Sequence, residues 1–187
     1  MGRKIWFFVA PLISLSVLIG GVLFIIFKEG EKSQSVSASH VGKKIPAVLL
    51  MNSSGKHENI FETIETNAQA NRKSILVFWA TWCEPCLREL PLIKKNLERS
   101  EAEKITYYFI NYDEGNLEVV QKEVKAWLIA QGLDQFPNYL DLKQDFSVAL
   151  NIFALPFSIG IDVDQKIKWV KLGELDFSKK FIFDQSN

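Results

Sequence analysis

The stretch VFWATWCEPCLREL, residues 77–90, contains both cysteines of the 187-residue chain. Glu84 and Pro85 separate Cys83 from Cys86. The apolar run SILVFWA, which ends just before the pair, is too short for a typical helix and favours a strand buried on both faces. After the pair, apolar residues recur at positions 86, 90, 93 and 97, which is helical spacing. We therefore predict that the two thiols lie where a buried strand ends and a helix begins.

This location suits thiol chemistry because the unsatisfied N–H groups and the dipole of a helix start stabilise an anion. A free thiol, with a pKa near 8.5, is about 3% thiolate at pH 7. Cys83 is expected to ionise more easily than that, and Cys86, one turn later, can form a disulfide with it. Pro85 is accepted in a first turn because its missing N–H would have no helical partner. The pair predicts thiolate attack, a mixed disulfide and resolution by the second thiol.

Other uses of two thiols fit the sequence less well. A zinc site needs about four ligands, and the two histidines of the chain are His40, in a polar segment, and His57, near a turn. A purely structural disulfide usually closes a larger loop than this one. A copper carrier would need another placed ligand, and a peroxidatic cysteine needs a single activated thiol with its own stabilising shell. Redox exchange is therefore favoured, and no metal site is predicted.

The composition indicates one globular domain with an appendage. Hydrophobic residues make up 48% and aromatic residues 12% of the chain, which is enough to build a core and argues against global disorder. Lys plus Arg and Asp plus Glu are balanced at 22 each, and no dense basic run is present. A nucleic-acid partner is therefore not expected, since it would require a basic surface.

The N-terminal region predicts a membrane anchor. Residues 5–27 contain no ionisable side chain and would span roughly 34 Å as a helix, enough for a hydrocarbon core of about 30 Å. The run is longer than the apolar region of a cleaved signal peptide, and a buried core helix is the remaining alternative. The Lys and Arg counts on the two flanks are close to a tie. The short first flank, residues 1–4, and the long remainder therefore favour a cytoplasmic N-terminus and a translocated domain.

Two further regions follow the predicted anchor. Residues 28–44 are polar, Ser-rich and without periodicity, which predicts a flexible tether. Residues 45–187 are predicted to form the domain proper. Its predicted strands are PAVLL, a short strand after the Asn52–Gly55 turn, SILVFWA, ITYYFINY, NYLDL, PFSIGID and KIKWVKL; its predicted helices are FETIETNAQANRK, CLRELPLIKKNLERS with a kink at Pro91, NLEVVQKEVKAWLIAQG and KQDFSVALNI. This order predicts an α/β fold with a mixed central sheet flanked by helices.

The segment VFWATWCEPCLRELP resembles the active-site segment of membrane-anchored thioredoxin-like proteins of the TlpA/ResA/DsbE type. The resemblance extends over most of residues 46–175 and includes the inserted helix and strand between ITYYFINY and ALPFSIGID. It implies a thioredoxin-like fold with a central insertion, one N-terminal transmembrane helix and an extracytoplasmic domain. Members of the family typically reduce protein disulfides, often in apocytochrome c before haem attachment.

The resemblance also implies roles for individual residues. Cys83 matches the exposed attacking thiol and Cys86 the buried resolving thiol, so the redox-active pair is expected to serve without a further cofactor. Trp82 matches an aromatic residue that flanks the pair, and Pro156 matches a proline that is cis in this fold. Leu155, which precedes it, is expected to offer its backbone to an extended substrate. For Pro156 taken alone, the alternative is an ordinary proline at the start of a strand.

Acidic residues near the thiols are expected to tune them. Glu89 matches an acid that reductive members carry one turn past the second thiol. Partly buried, it would have a raised pKa and could relay a proton, and the alternative is a solvated glutamate on the helix face. Glu84, as an anion near Cys83, would oppose thiolate formation. Two departures from the family pattern are Val77, where thioredoxin has a buried Asp, and Gly160, where many relatives have a bulky apolar residue.

The sequence thus predicts a thiol–disulfide oxidoreductase that one helix anchors in the inner cell membrane and that reduces disulfides on the periplasmic side. The expected partners are a disulfide-containing protein substrate, a thiol-type electron-donor protein in the membrane, and the membrane itself. Two alternatives remain. One is a dithiol oxidase or isomerase with the same residues and the opposite electron flow. The other is a non-catalytic module that uses the thioredoxin-like surface near Trp82 and Pro156 to hold a partner or a metal during the assembly of a complex.

Overall fold

The structure, a computed structural model, describes residues 40–185. The predicted N-terminal flank and membrane anchor, residues 1–27, and most of the predicted tether lie outside the described residues. None of the helices between residues 40 and 185 is long and apolar enough to cross a membrane. At the end of the predicted tether, the Gly42 N–H donates to the Ile167 carbonyl at 2.8 Å, and the Ile167 N–H donates to the Lys43 carbonyl at 2.9 Å. This end of the tether is thus bound to the domain.

Seven strands and five helices alternate along the described chain in the predicted order. The strands are β1 (Leu49–Asn52), β2 (His57–Asn59), β3 (Lys73–Trp79), β4 (Ile105–Asn111), β5 (Asn138–Leu140), β6 (Phe157–Ile161) and β7 (Ile167–Leu172). The helices are α1 (Ile60–Gln69), α2 (Glu84–Lys95), α3 (Leu97–Ala102), α4 (Leu117–Gln131) and α5 (Asp145–Ala149). Each predicted segment corresponds to one element, except that the helix predicted after the cysteines is divided into α2 and α3.

The strands form one mixed sheet with the order β2-β1-β5-β4-β3-β6-β7. β3, β4 and β5 are parallel neighbours, and the other strands join antiparallel on the two sides. Parallel neighbours need a crossover connection, which α2 with α3 and then α4 supply. Because the carboxyl ends of the parallel strands meet at one edge of the sheet, the residues that follow them are brought together there.

Side chains alternate across β3 and contribute to two separate cores. Ile75, Val77 and Trp79 face the first core, Leu76 and Phe78 face the second, and all five are fully buried. The first core packs against α2 and α4, and the second against α1 and α5. Helices on both faces explain why SILVFWA lacks the polar alternation of a half-exposed strand. The predicted α/β architecture with a mixed sheet is confirmed.

Helix α2 begins directly after Cys83 and ends before Asn96. Cys83 is the N-cap, with φ −90° and ψ 94°, and Pro85 lies in the first turn, where its missing N–H costs nothing. The helix continues past Pro91. At Asn96 the backbone leaves the helical region, with φ −103° and ψ 16°, and the side-chain Nδ2 donates to the Leu92 carbonyl at 2.9 Å. The division of the predicted helix therefore falls at this asparagine.

The chain after β7 closes the first core as an irregular segment, residues 173–185. Leu175 and Ile182 are buried in that core. The carboxylate of Glu103, which follows α3, accepts the backbone N–H groups of Ile182 and Phe183 at 2.8 and 3.2 Å. These contacts hold the segment against the side of the sheet that carries α2, so the residues just after β7 lie close to that helix.

Position 160 in β6 has room only for glycine, because the indole ring of Trp169 lies directly against it. A Cβ atom on Gly160 would lie 2.1 Å from Cε2 of Trp169 in β7. The indole cannot move away easily, because its Nε1 donates to the Phe183 carbonyl at 2.6 Å. Trp169, which belongs to the first core, therefore fills the space that a larger side chain at position 160 would need.

Candidate active site

Cys83 and Cys86 are joined by a disulfide at the start of α2, with 5.3 Å between their Cα atoms. The Sγ atom of Cys83 accepts the backbone N–H of Cys86 at 3.3 Å. Cys86 is fully buried, whereas Cys83 is 5% exposed. Cys83 is thus the more accessible sulfur of the pair, and it lies where the free N–H groups of the helix start can stabilise a negative charge.

The loop between β3 and α2 is held by a buried carboxylate that the sequence analysis missed. Asp113, which follows β4, accepts the backbone N–H of Thr81 through both oxygens, at 3.1 and 3.2 Å. Asn111 supports this carboxylate: its Nδ2 donates to Oδ2 of Asp113 at 2.9 Å, and its Oδ1 accepts the Asp113 N–H at 3.1 Å. The network fixes the backbone just before the first thiol.

Replacement of Asp113 by alanine is expected to lower the free energy of unfolding by about 2 kcal/mol, because the Thr81 N–H and the Asn111 amide lose a buried charged partner. Urea unfolding of the parent protein and the variant measures this difference. Asp134→Ala is the matched control, since Asp134 is exposed and its loss is expected to change stability by less than about 0.5 kcal/mol. Equal losses in the two variants would mean that Asp113 does not hold the loop.

The peptide bond between Leu155 and Pro156 is cis, as the resemblance implies for this proline. Phe157, the next residue, pairs with Phe78 near the end of β3, which brings the turn to the edge of the sheet where the thiols lie. Leu155 packs against the core that contains both cysteines. The Pro156 carbonyl accepts the Gly173 N–H at 2.8 Å, while no backbone hydrogen bond within residues 40–185 engages Leu155. The Leu155 backbone is therefore available to an extended peptide.

Trp82 flanks the first thiol and is 67% exposed. With Thr81, Tyr112 and Glu123 it lines a groove of about 410 Å³. The remaining residues that line this groove come from the region around the end of β4 and the start of α4. An exposed indole offers a large apolar contact with one polar end, which is typical of residues at protein interfaces. The groove thus lies beside the residue that directly precedes the first thiol.

Glu89 is fully buried one helical turn beyond Cys86. Its Oε1 accepts the backbone N–H of Leu175 at 2.6 Å, whereas its Oε2 has no hydrogen-bond partner within the described residues. Desolvation by burial raises the pKa of this carboxyl to about 7; the Leu175 hydrogen bond and Lys171 lower it, and Glu174 raises it. The carboxyl can therefore take up and release a proton near neutral pH. The alternative of a solvated glutamate on the helix face is wrong.

Glu84, in contrast, is exposed on the first turn of α2. Its carboxylate pairs with Arg88 at 3.2 Å, and Arg88 also pairs with Glu174 at 3.0 Å. Exposed pairs of this kind contribute little to stability, but they place a guanidinium between two carboxylates close to the thiols. The expected effect of Glu84 on Cys83 is therefore partly balanced by Arg88.

The structure gathers most of the predicted site residues at one end of the sheet. The thiols and Leu155 share the first core, Pro156 adjoins the end of β3, and Trp82 lies on the surface beside the pair. Within residues 40–185, no group of three or more His, Cys, Asp and Glu side chains is arranged to hold a metal ion. The site combines a thiol pair, a buried carboxyl and free backbone groups, which are the requirements for disulfide exchange coupled to proton transfer.

Comparison with known proteins leads to the same chemistry. The sequence profile of the AhpC/TSA family matches residues 41–170, well over half of the chain. Thiol-disulfide oxidoreductase ResA from Bacillus thuringiensis (strain Al Hakam) is 27% identical over 173 residues, which cover 92% of this chain and 90% of ResA. Sporulation thiol-disulfide oxidoreductase A from Bacillus subtilis (strain 168) is 29% identical over 137 residues, which cover 70% of this chain and 74% of that protein.

A solved structure extends the comparison to three dimensions. The crystal structure of StoA from Bacillus subtilis is similar with a TM-score of 0.52 and 27% sequence identity, over 69% of this chain and 92% of the StoA chain. The chain therefore belongs to the AhpC/TSA family, as a thioredoxin-like thiol–disulfide oxidoreductase of the ResA and StoA type.

Proposed function

We propose that this protein reduces disulfides in proteins outside the cytoplasm, with Cys83 as the attacking thiol and Cys86 as the resolving thiol. The observation that carries the proposal is the fully buried Glu89 one turn beyond Cys86. A purely structural disulfide has no use for a buried carboxyl whose pKa is raised to about 7. Such a group weakens the fold at neutral pH, and groups of this kind are concentrated at reaction sites.

In the first step, the Cys83 thiolate attacks one sulfur of the substrate disulfide. A bond forms between Cys83 and that sulfur, and the other substrate sulfur leaves as a thiolate that takes up a proton from water. The N–H groups at the start of α2 stabilise the attacking anion. The Cys86 N–H, which points at the Cys83 sulfur at 3.3 Å, is one of them.

In the second step, Cys86 attacks the Cys83 sulfur, closes the disulfide of the pair and releases the substrate as a second thiolate. Two electrons have then passed from the cysteine pair to the substrate. A thiol buried in apolar surroundings stays protonated, so this step needs a base. Glu89, as a carboxylate, accepts the Cys86 proton and later returns it to the released thiolate.

Substrate recognition is assigned to Trp82, Leu155 and Pro156. An extended peptide that pairs with the free Leu155 backbone lies across the edge of the sheet, next to Cys83. The exposed Trp82 packs against the same peptide from the other side of the thiol. This mode of binding is tolerant of sequence because backbone groups supply the hydrogen bonds, and it suits an enzyme that reduces partly folded proteins.

The charges around the thiols support a reductant. A dithiol pair is a strong oxidant when its reduced form is stabilised. Here Glu84 and Glu89 lie on the same helix as the thiols, and their carboxylates disfavour a further negative charge on sulfur, although Arg88 balances part of the effect. These carboxylates make the reduced pair less stable than it would be without them. This favours donation of electrons to a substrate over the oxidase or isomerase direction.

The proposed location is the outer side of the inner cell membrane, with residues 5–27 as the anchor. The match to ResA covers 92% of the chain, so it extends into the N-terminal region beyond the family match that begins at residue 41. A reductant in an oxidising compartment must be reduced again after each cycle, which requires a thiol-type donor protein in the membrane. Apocytochrome c is the proposed substrate, on the resemblance to reductive members of the family.

The reduction potential of the pair tests the direction of electron flow. Full-length protein in mild detergent is equilibrated with thiol–disulfide buffers of known potential, and the free thiols are then alkylated and counted. A value well below about −200 mV supports a reductant, and a value near about −120 mV would indicate an oxidase.

Haem staining of a deletion strain tests the substrate: c-type cytochromes should be lost and should return with the parent gene but not with Cys83→Ser. Normal cytochromes in that strain would favour a general disulfide reductase.

A further inference from the structure

Four buried side-chain polar atoms have no hydrogen-bond partner within residues 40–185: Nε1 of Trp79, Oδ1 of Asn138, Oε2 of Glu89 and Oγ of Ser158. Two of these atoms belong to Glu89 on α2 and Ser158 on β6. Both residues are fully buried. Burial of a polar atom without a partner is unfavourable, and native proteins rarely keep such atoms unless they have a further use. The position of Glu89 and Ser158 relative to the sheet indicates that the two residues have a common role.

The strand register places Ser158 on the side of the sheet that carries the thiols. Ser158 of β6 pairs with Val77 of β3 and with Lys171 of β7. Its neighbours on β6, Phe157 and Ile159, both belong to the second core. Because side chains alternate along a strand, Ser158 faces the first core, which contains both cysteines and packs against α2.

Glu89 reaches the same region from α2. Its Oε1 is bonded to the N–H of Leu175, which follows β7, and the Lys171 ammonium acts electrostatically on its carboxyl. Lys171 is also the β7 partner of Ser158. The Glu89 carboxyl and the Ser158 hydroxyl therefore lie over the same end of the β6–β7 pair.

The charged and titratable groups that face Glu89 leave its second oxygen without a donor. Glu174 repels the carboxylate, and Lys171 attracts it without a hydrogen bond. Tyr107 of β4 also interacts with Glu89, but its hydroxyl is engaged with Ser100 at 3.1 Å, and burial raises the pKa of this tyrosine to about 12. Val77 has no polar side-chain atom. The Trp79 indole, whose Nε1 is also without a partner in the described residues, packs against Trp127 of α4. The Ser158 hydroxyl lies on the β6–β7 side and can supply a donor there.

We propose that Ser158 is a positioning residue of the resolving step: its hydroxyl and the free Glu89 oxygen bind one buried water molecule between them. The inference rests on the function proposed above. A buried water needs two or more polar partners, and these two atoms provide them. Cys86 is buried on the same helix as Glu89, one turn before it. The water takes the proton from the Cys86 S–H as it gives one to the Glu89 carboxylate. The thiol becomes a thiolate, the carboxylate becomes a carboxylic acid, and the water is unchanged.

The reaction with Ellman's reagent separates the two steps. Reduced full-length protein in mild detergent releases one thionitrobenzoate when Cys83 attacks the reagent and a second when Cys86 resolves the mixed disulfide. In Ser158→Ala, the carboxylate loses its bridged hydrogen bond, so the pH midpoint of the second phase is expected to rise by about one unit. The rate of that phase at pH 7 then falls about fivefold, while the first phase is unchanged.

Two further variants distinguish the hydroxyl from packing. Ser158→Thr keeps the hydroxyl and is expected to keep the parent midpoint. Ser100→Ala removes another buried serine hydroxyl, bonded to Tyr107, and is expected to change stability without moving the midpoint. An unchanged midpoint in Ser158→Ala, or the same shift in Ser158→Ala and Ser158→Thr, would overturn the proposal. Loss of the first phase in the parent protein would instead refute the proposed function, because Cys83 would then not be the attacking thiol.

An infrared measurement on the parent protein does not depend on any Ser158 variant. The carboxyl stretch of protonated Glu89 is identified as the band that disappears in Glu89→Gln. We expect this band at the frequency of a carboxyl group hydrogen-bonded through both oxygens. A band at the frequency of a carboxyl group with one free oxygen would overturn the proposal.

Discussion

Replacement of Cys86 by serine is expected to turn the protein into a covalent trap for its substrates. Cys83, the less buried of the two thiols, keeps its place at the start of α2 and is expected to attack. The mixed disulfide can no longer be resolved because the second sulfur is absent. Turnover should fall at least about a thousandfold, as it does when one member of a catalytic unit is removed. Insulin reduction by full-length protein in detergent measures turnover, and non-reducing gels of membranes show the trapped substrates.

Cys83→Ser is the matched control for this experiment. It removes the same number of sulfur atoms from the same turn, and it should lose turnover equally while trapping nothing, because Cys86 is fully buried. Trapping by Cys83→Ser in place of Cys86→Ser would reverse the roles of the two thiols. If neither variant traps a partner and the parent has no turnover, the non-catalytic assembly module becomes the better account of the protein.

The elements of the fold could be predicted because each has a local signal in the sequence. SILVFWA is continuous in apolar residues, since helices cover both faces of β3. Helix α4 ends at Gly132, which adopts a left-handed conformation with φ 62° that glycine accepts without strain. The division between α2 and α3 could not be predicted, because the signal at Pro91 is stronger than the one at Asn96. The helix tolerates the proline and ends where an asparagine side chain caps a carbonyl.

The reacting groups of the site could also be predicted, but the groups that support them could not. The thiols and Glu89 lie within one helix, so their spacing along the chain determines their proximity. Asp113, Leu175 and Ser158 reach the site through the sheet and the irregular C-terminal segment, from positions far along the chain. The signal for Asp113 is a polar residue directly after a buried strand, at the edge where parallel strands end. Leu175 acts through its backbone N–H, which no side-chain pattern reveals.

Replacement of Glu89 by glutamine is expected to remove a pH-dependent loss of stability. The folded protein raises the pKa of Glu89 from 4.5 to about 7, so it binds this proton more tightly than the unfolded chain does. The stability contributed by the protonated carboxyl is fully present below about pH 4.5 and is lost as the pH rises through 7. From this group the parent protein should lose about 3 kcal/mol of unfolding free energy over that range, and Glu89→Gln should lose none.

Denaturant unfolding of the oxidised protein at pH 4, 6 and 8 measures this difference, with the stability of the variant relative to the parent rising by about 3 kcal/mol from the lowest to the highest pH. Glu98→Gln is the matched control, because Glu98 is exposed on α3 and should change stability equally at all three values. Glu89→Gln should also slow the second phase of the reaction with Ellman's reagent and remove its pH dependence near 7, since glutamine cannot accept the Cys86 proton. A gain in stability at high pH without any effect on that phase would show that the buried carboxyl weakens the fold but takes no part in resolution.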